Sequence, residues 1–267
     1  MPQANRFAKD FTTQNHAAVA YYDHTKVDYN KAQSLIAETF KLLGMDKSNE
    51  DTDMWNPLGV LINNGDSFTS FPLPFEAQIS TAMHAGVADI NGDGHEDIFL
   101  SQNFFTVQIE TDRNDSGRGL IMLGDGSGNF ETIYGHNSGI LVYGDQRGAA
   151  FSDYNMDGKV DLLVSQNGAE TKLFQNIKSK SGVRVILRGS KLNPWGFGSK
   201  IQIQYKDGSL GPVREIQSGS GYWSQNSPVQ IMGYNKPVSG LKIQWPDGSS
   251  SLESFNEEKV IIKYTGD

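Results

Sequence analysis

The stretch that decides the fold occurs twice, as AGVADINGDGHEDIFLSQN at residues 85–103 and as AAFSDYNMDGKVDLLVSQN at residues 149–167. The two copies align without a gap over 19 positions, at an offset of 64 residues. Each copy places an aspartate-rich loop between two short apolar runs of the kind that form strands. A repeat of this length indicates one structural unit used twice.

A second similarity accompanies the repeat. LINNGDSF at residues 61–68 resembles LGDGSGNF at residues 123–130, and both are typical of a glycine turn between strands. Each unit therefore reads strand, aspartate loop, strand, long excursion, strand, glycine turn, strand. Four antiparallel strands per unit is the arrangement of a propeller blade, so the repeat predicts blade-type sheets.

The aspartate loops carry the chemistry. Calcium takes six to eight oxygen ligands, which closely spaced carboxylates, amides and carbonyls supply. Oxygen donors stand at positions 1, 3, 5, 7 and 9 of each loop, with the backbone carbonyl acting at position 7: Asp89, Asn91, Asp93, His95 and Asp97 in the first loop, and Asp153, Asn155, Asp157, Lys159 and Asp161 in the second. We therefore predict two Ca²⁺ sites, with Asp97 and Asp161 as the bidentate ligands.

The end of each loop distinguishes between known loop types. An EF-hand needs a glutamate at position 12 and flanking helices, whereas position 12 is Leu100 in one loop and Val164 in the other. The remaining type is a strand–loop–strand site that ends at position 9. Magnesium fits less well, because it demands a rigid octahedron. The alternative is an aspartate turn without metal, in which three close carboxylates repel one another. We expect a structural role for the ion.

Composition limits the function classes. The net charge is −8 and the sequence has no stripe of basic residues, which argues against nucleic-acid binding. The chain has no cysteine, and no apolar run reaches the roughly 18 residues that a membrane span needs. Its first residues lack the apolar core of a signal peptide. We expect a bacterial protein that is secreted, on the cell surface or periplasmic, with its targeting segment not present in this chain.

The domain organisation follows from changes of pattern. Apolar residues at three- to four-residue steps predict an amphipathic helix over residues 30–45. We divide the chain into an N-terminal segment (1–54), blades with both calcium loops (55–179) and a small β domain (180–267). Alternating strands and Asp-Gly hairpin signals in the last part predict a sandwich or barrel.

Two family resemblances rest on these motifs. The aspartate loops and their glycine turns resemble FG-GAP/VCBS repeats of the integrin-α-type β-propeller. The C-terminal part resembles the ASPIC/UnbV domain at residues 193–201, 214–225 and 243–249, and the pair is similar to the cartilage acidic protein family. The resemblance implies a mainly β fold with about two four-stranded blades. Because such propellers have more blades, it also implies that further blades of a longer chain are partners.

Catalytic patterns are weak. None of the histidines forms a metal-ligand spacing with another: His16, His24, His84, His95 and His136. The Ser218–Gly221 stretch resembles a nucleophile elbow only superficially, because no parallel sheet or helix surrounds it. We predict no catalytic residue. The aromatic residues Trp195, Tyr222, Trp223 and Trp245 are expected to pack in the core of the small domain or at its junction with the blades, although an exposed Trp195 or Trp223 could stack on sugars. Arginines of the last region are expected to be solvated partners of nearby acids: Arg184, Arg188 and Arg214.

Function is therefore expected to lie in binding. The first hypothesis is a calcium-binding extracellular adhesion module for a protein or glycan. The alternative is an accessory, non-catalytic part of a secreted carbohydrate-active or other hydrolytic or lyase enzyme. A third possibility is a purely architectural piece that docks other domains of its own chain.

Overall fold

The computed structural model describes residues 18–20, 58–110, 112–254 and 259–264. The helix expected over residues 30–45 lies outside these ranges. Strands dominate the described part, which confirms the mainly β class. Its helices are single turns, α1 (Phe75–Gln78) and α2 (Gly135–Ser138). No helix of the described part is long and apolar enough to cross a membrane.

Three sheets are formed by the first part of the chain. Their order is β1-β2-β3, β4-β5-β6-β7 and β10-β9-β8. All neighbours are antiparallel except β1 and β2. The strand bounds are β1 (Ala18–Ala20), β2 (Gly59–Asn63), β3 (Phe68–Pro72), β4 (Ala82–Ala88), β5 (Asp97–Gln102), β6 (Leu120–Gly124), β7 (Phe130–Ile133), β8 (Asp145–Ser152), β9 (Asp161–Asn167) and β10 (Ala169–Phe174).

The second sheet contains the whole predicted unit. The aspartate loop joins β4 to β5, a long excursion leads to β6, and the glycine turn joins β6 to β7. The third sheet differs, because it has three strands where four were predicted. There the chain turns back from β9 into β10 at Gly168, whose φ of 73° suits glycine, instead of making an excursion.

The sheets stack through apolar layers that the strand alternation creates. In β5, Ile98 and Leu100 pack toward β2 and α1, whereas Phe99 packs toward β8 and β9. All three side chains are at most 2% exposed, so β5 is covered on both faces. In β9, Leu163 occupies the place that corresponds to Phe99 but is 42% exposed. The outer face of the third sheet is therefore open in the described part of the chain.

The C-terminal part forms two more sheets, with orders β14-β11-β17 and β13-β12-β15-β16. Apolar residues from both sheets pack into one core, including Val185, Ile203, Leu241 and Trp245. This is the sandwich arrangement; the closed barrel is not found among the described residues. The strand bounds are β11 (Val183–Arg188), β12 (Lys200–Tyr205), β13 (Arg214–Glu215), β14 (Gln230–Met232), β15 (Val238–Gln244), β16 (Ser250–Glu253) and β17 (Lys259–Lys263).

Candidate metal centre

Both aspartate loops lie between the strands that were predicted to flank them. β4 ends one residue before Asp89 and β5 begins at Asp97; β8 ends one residue before Asp153 and β9 begins at Asp161. The first and last carboxylates are buried, with exposures of 2% and 0% in the first loop and 4% and 2% in the second. The strand–loop–strand geometry is therefore confirmed, and the flanking helices of an EF-hand are not found here.

The first loop is wrapped around its two buried carboxylates. Asp89 accepts hydrogen bonds from the backbone N–H groups of Gly92 (2.8 Å), Asp93 (3.0 Å) and Gly94 (2.9 Å). Gly92 and Gly94 have φ values of 75° and 88°, a region in which glycine is favoured. These turns bring the backbone N–H groups onto the Asp89 carboxylate. Glycine at these two positions therefore closes the loop at low conformational cost.

The carboxylate at the end of the first loop links three segments. Asp97 accepts the backbone N–H of Ile90 at 2.7 Å, of Asn91 at 3.2 Å and of Gly124 at 2.9 Å. Burial raises the pKa of Asp97 to about 7, and these hydrogen bonds only partly oppose that effect. Asp97 has no ion pair among the described residues.

The second loop repeats this hydrogen bonding. Asp153 accepts from the backbone N–H groups of Asp157 (3.0 Å) and Gly158 (3.1 Å), and Asp161 accepts from Tyr154 at 3.1 Å. The amide of Asn155 donates to Asp157 at 3.0 Å, as Asn91 does to Asp93 at 2.8 Å. Two different sequences thus adopt one loop geometry.

One residue of the second loop adopts an unfavourable backbone conformation. Met156 stands where the first loop has Gly92, yet its φ is 66°. A side chain in this left-handed region is disfavoured, so the loop must be held by its hydrogen bonds. The second loop therefore keeps the backbone turn of the first loop although methionine replaces glycine.

Two arginines of the C-terminal part approach the first carboxylate of each loop. The Arg214 guanidinium lies 3.7 Å from Asp89 and 2.6 Å from Glu96, and Arg184 Nε lies 3.2 Å from Asp153. Their side chains are only 11% and 15% exposed. The expectation of solvated arginines is therefore wrong for this pair. Sequence reasoning missed them because their positions lie far from both loops and show no spacing of their own.

The loops also pack onto the segment that leads into the C-terminal sheets. Lys180 donates its backbone N–H to Asn91 O at 3.2 Å, and Gly182 donates to Gly158 O at 2.8 Å. The side chain of Asn176 donates to Ile90 O at 2.7 Å while its backbone N–H donates to Asp161 at 2.8 Å. One short stretch of chain thus contacts both loops, and both lie at the junction of the two parts of the fold.

The donor chemistry of each loop fits a hard cation. At its predicted ligand positions each has three carboxylates, one amide oxygen and one carbonyl, and burial also raises the pKa of Asp89 and of Asp161. In the described residues no three acidic or histidine side chains converge into a formed metal cluster, and the carboxylates accept backbone N–H groups instead. The residues that would hold a cation are those predicted, with His95 and Lys159 contributing carbonyl oxygens.

A buried histidine forms a separate cluster with the loop at residues 218–226. His84 is 3% exposed, and its Nδ1 accepts the backbone N–H of Tyr222 at 3.2 Å and lies 3.3 Å from Ser224 Oγ. Its Nε2 is buried with no hydrogen-bond partner among the described residues. The third member of a Ser–His–Asp triad is therefore missing here, and Ser224 Oγ itself donates to Ser220 O.

The tryptophans differ in environment. Trp245 is 5% exposed and packs edge-on to Tyr264 at 5.1 Å, as expected for a core residue. Trp195 is 44% exposed beneath the Arg188 guanidinium. Trp223 is 93% exposed with a φ of 47°, so the expectation of core packing is wrong for it.

Comparisons with known proteins agree with the C-terminal part of this description. Residues 189–259 match the family model described as "ASPIC and UnbV". The chain is also similar to Cartilage acidic protein 1 of Xenopus tropicalis, with 32% identity over 119 residues, and to that of Mus musculus, with 26% over 119 residues. Each match covers 42% of this chain and 18% of the relative. Human Cartilage acidic protein 1 is 28% identical over 107 residues, or 38% of this chain and 16% of the relative. The matches thus span less than a fifth of each relative's length.

Proposed function

We propose that this protein is a calcium-binding extracellular module that recognises a protein or glycan, and that calcium stabilises it. The observation that carries the proposal is the shared geometry of the two loops. Each holds buried carboxylates at positions 1 and 9, on two separate sheets, and each contacts the same connecting stretch. A cation in each loop would neutralise charge that burial penalises.

The role of the ion follows from the position of the loops. Each loop ties two neighbouring strands together and contacts the chain that enters the C-terminal sheets. Calcium therefore stabilises the junction between the first part of the chain and the C-terminal sheets. These contacts tie strands and segments together, which favours a stabilising role for the ion over a catalytic one.

The extracellular location is a further proposal. It is supported by the similarity to proteins whose name places them in cartilage, and by the family model matched at residues 189–259. Assignment of the first part to FG-GAP/VCBS repeats rests on the loops and on the glycine turns. The open face at Leu163 is where a further blade-type sheet would pack, since Phe99 is fully covered at the corresponding place.

Thermal unfolding with calcium and with a chelator tests the proposal. Binding stabilises a folded protein by about 2.7 kcal/mol per site at a hundredfold excess over Kd, so calcium should raise Tm clearly. Asp93→Ala and Asp157→Ala should each remove part of that rise. Asp112→Ala, which changes an exposed aspartate outside both loops, is the matched control and should leave the rise intact. Equal melting with and without calcium would contradict the proposal.

Arrays of glycans and of extracellular proteins test the binding role. The calcium-loaded chain should bind a member of one array and leave it chemically unchanged. Turnover of a bound polymer would instead support the alternative, in which the chain is part of a hydrolytic or lyase enzyme.

A further inference from the structure

A cavity of about 480 Å³ lies between the first part of the chain and the C-terminal sheets. One wall is the outer face of β12 and β15, the opposite wall comes from β4 and the end of β8, and the loop at residues 217–231 closes a third side. Its volume is in the range of cavities that bind small molecules. The metal ligands other than Asp153 stay outside this lining.

The wall from β12 and β15 carries a regular pattern of polar side chains. Strand pairing places Lys200 opposite Gln244 and Gln202 opposite Lys242, so lysine and glutamine alternate across the two strands. The residues between them, such as Ile201 and Ile243, face the core, which directs the four polar side chains outward. This part of the sheet presents its polar face to the cavity.

Several of these groups are available to a ligand. Lys200, Lys242, Gln217 and Gln244 line the cavity and have neither an ion pair nor a side-chain hydrogen bond among the described residues. Each glutamine amide offers donors and an acceptor, and each ammonium offers donors. The lining can therefore satisfy a ligand whose groups both donate and accept.

His84 also lines the cavity, but its Nε2 is buried and not open to a ligand. Because Nδ1 of His84 accepts the Tyr222 N–H, a neutral ring carries its proton on Nε2, and burial lowers the pKa of His84 to about 4. That N–H has no acceptor in the described part of the fold. The apolar rings and methyl groups of Phe151 and Val229 complete the lining.

The charges of the lining cancel. Its acidic side chains are Glu96, Asp153 and Glu215, and its basic ones are Lys200, Arg214 and Lys242. Glu96 and Asp153 already face Arg214 and Arg184. The lining therefore does not select an ion by its net charge, and Lys200 and Lys242 can act as hydrogen-bond donors to a neutral ligand.

We propose that this cavity binds an uncharged sugar unit, such as a hexose at the end of a glycan. Hydroxyl groups donate and accept, as the amides require, and the apolar face of a sugar ring matches the side chains of Val87 and Val229. The inference rests on the proposed binding function and gives it a site and a ligand class.

The test uses the full chain loaded with calcium, titrated with neutral hexoses and their disaccharides, with glucuronate and with a neutral dipeptide. Saturation-transfer NMR and calorimetry should detect binding of a neutral sugar at millimolar concentration. Gln244→Ala should weaken it roughly two- to tenfold, the range expected for one lost hydrogen bond. Gln244→Trp should abolish it by filling the cavity mouth. Gln204→Ala, on the same strand face but outside the lining, should leave it unchanged.

Binding of glucuronate or dipeptide alone would overturn the ligand class. Sugar binding that both Gln244 variants leave intact would overturn the site, and a lack of binding by every neutral sugar would overturn the inference. Calcium calorimetry on the same sample separates the two proposals. Calcium uptake without sugar binding refutes the sugar site only, whereas the absence of calcium uptake refutes the proposed function.

Discussion

Replacement of Arg214 by methionine separates the electrostatic role of this arginine from the role of calcium. The guanidinium lies 3.7 Å from Asp89 and 2.6 Å from Glu96, also donates to Ile231 O, and is 11% exposed. Removing one partner of a buried ion pair costs about 3–5 kcal/mol, because the other charge stays buried without a countercharge. In a chelator, Arg214→Met should lower the free energy of unfolding by an amount in that range.

With calcium bound, the loss should be smaller. The ion neutralises Asp89, so the loss then comes mainly from the broken hydrogen bonds to Glu96 and to Ile231 O, about 1.5–3 kcal/mol for a hydrogen bond that involves a charged group. The difference, roughly 2 kcal/mol, must appear as tighter calcium binding, by more than tenfold in Kd. Urea unfolding with and without calcium measures both quantities.

Arg188→Met provides the matched control. Its guanidinium lies 5.3 Å from the Trp195 ring, at the exposed end of β11. An exposed cation–π contact contributes about 0.5–1 kcal/mol, and its loss should not depend on calcium. If Arg214→Met lowers the free energy of unfolding equally with calcium and with chelator, the electrostatic role assigned to Arg214 in the first loop is wrong.

Other positions give sharp comparisons. In urea unfolding, Phe99→Ala should lower the free energy of unfolding by about 3–5 kcal/mol. Leu163→Ala, at the corresponding but open position, should lower it by less than about 1 kcal/mol. Equal reductions would show that the outer face of the third sheet is covered. The folded-state pKa of His84 is about 4, below the unfolded 6.5, so its contribution to stability is full above pH 6.5 and is lost as pH falls toward 4, by roughly 3 kcal/mol. His84→Gln should reduce this pH dependence, and an unchanged profile would refute the assignment. A Cβ at Gly233 would collide with Asp89 Oδ2, so Gly233→Ala should weaken calcium binding at the first loop, while Gly211→Ala, which has room for a methyl group, should not; equal affinities would contradict this geometry.

The repeat made much of the fold predictable. Strand, loop and turn positions in the second sheet follow from the alternation around Asp89–Asp97 and from the glycine turn before Phe130. The third sheet departs from the prediction because Gly168 lets the chain turn back at once. A single glycine after a repeated segment does not reveal in advance whether an excursion or a tight turn follows.

The parts of the site that sequence reasoning missed depend on contacts distant along the chain. Arg214 is separated from Glu96 by 118 residues and Asn176 from Ile90 by 86. Neither contact leaves a periodic or spacing signal, since both join segments that only the tertiary fold brings together. The exposure of Trp223 was also not predictable, because an aromatic two residues after a glycine fits a core position or a loop tip equally well.

Calcium stoichiometry tests the central claim most directly. Calorimetric titration of the metal-free chain should show two calcium ions per molecule, one ion for Asp93→Ala or for Asp157→Ala, and none for the double variant, with Asp112→Ala keeping both. Absence of calcium uptake by the folded wild-type chain, or two ions still bound by the double variant, would contradict the assignment of the two loops.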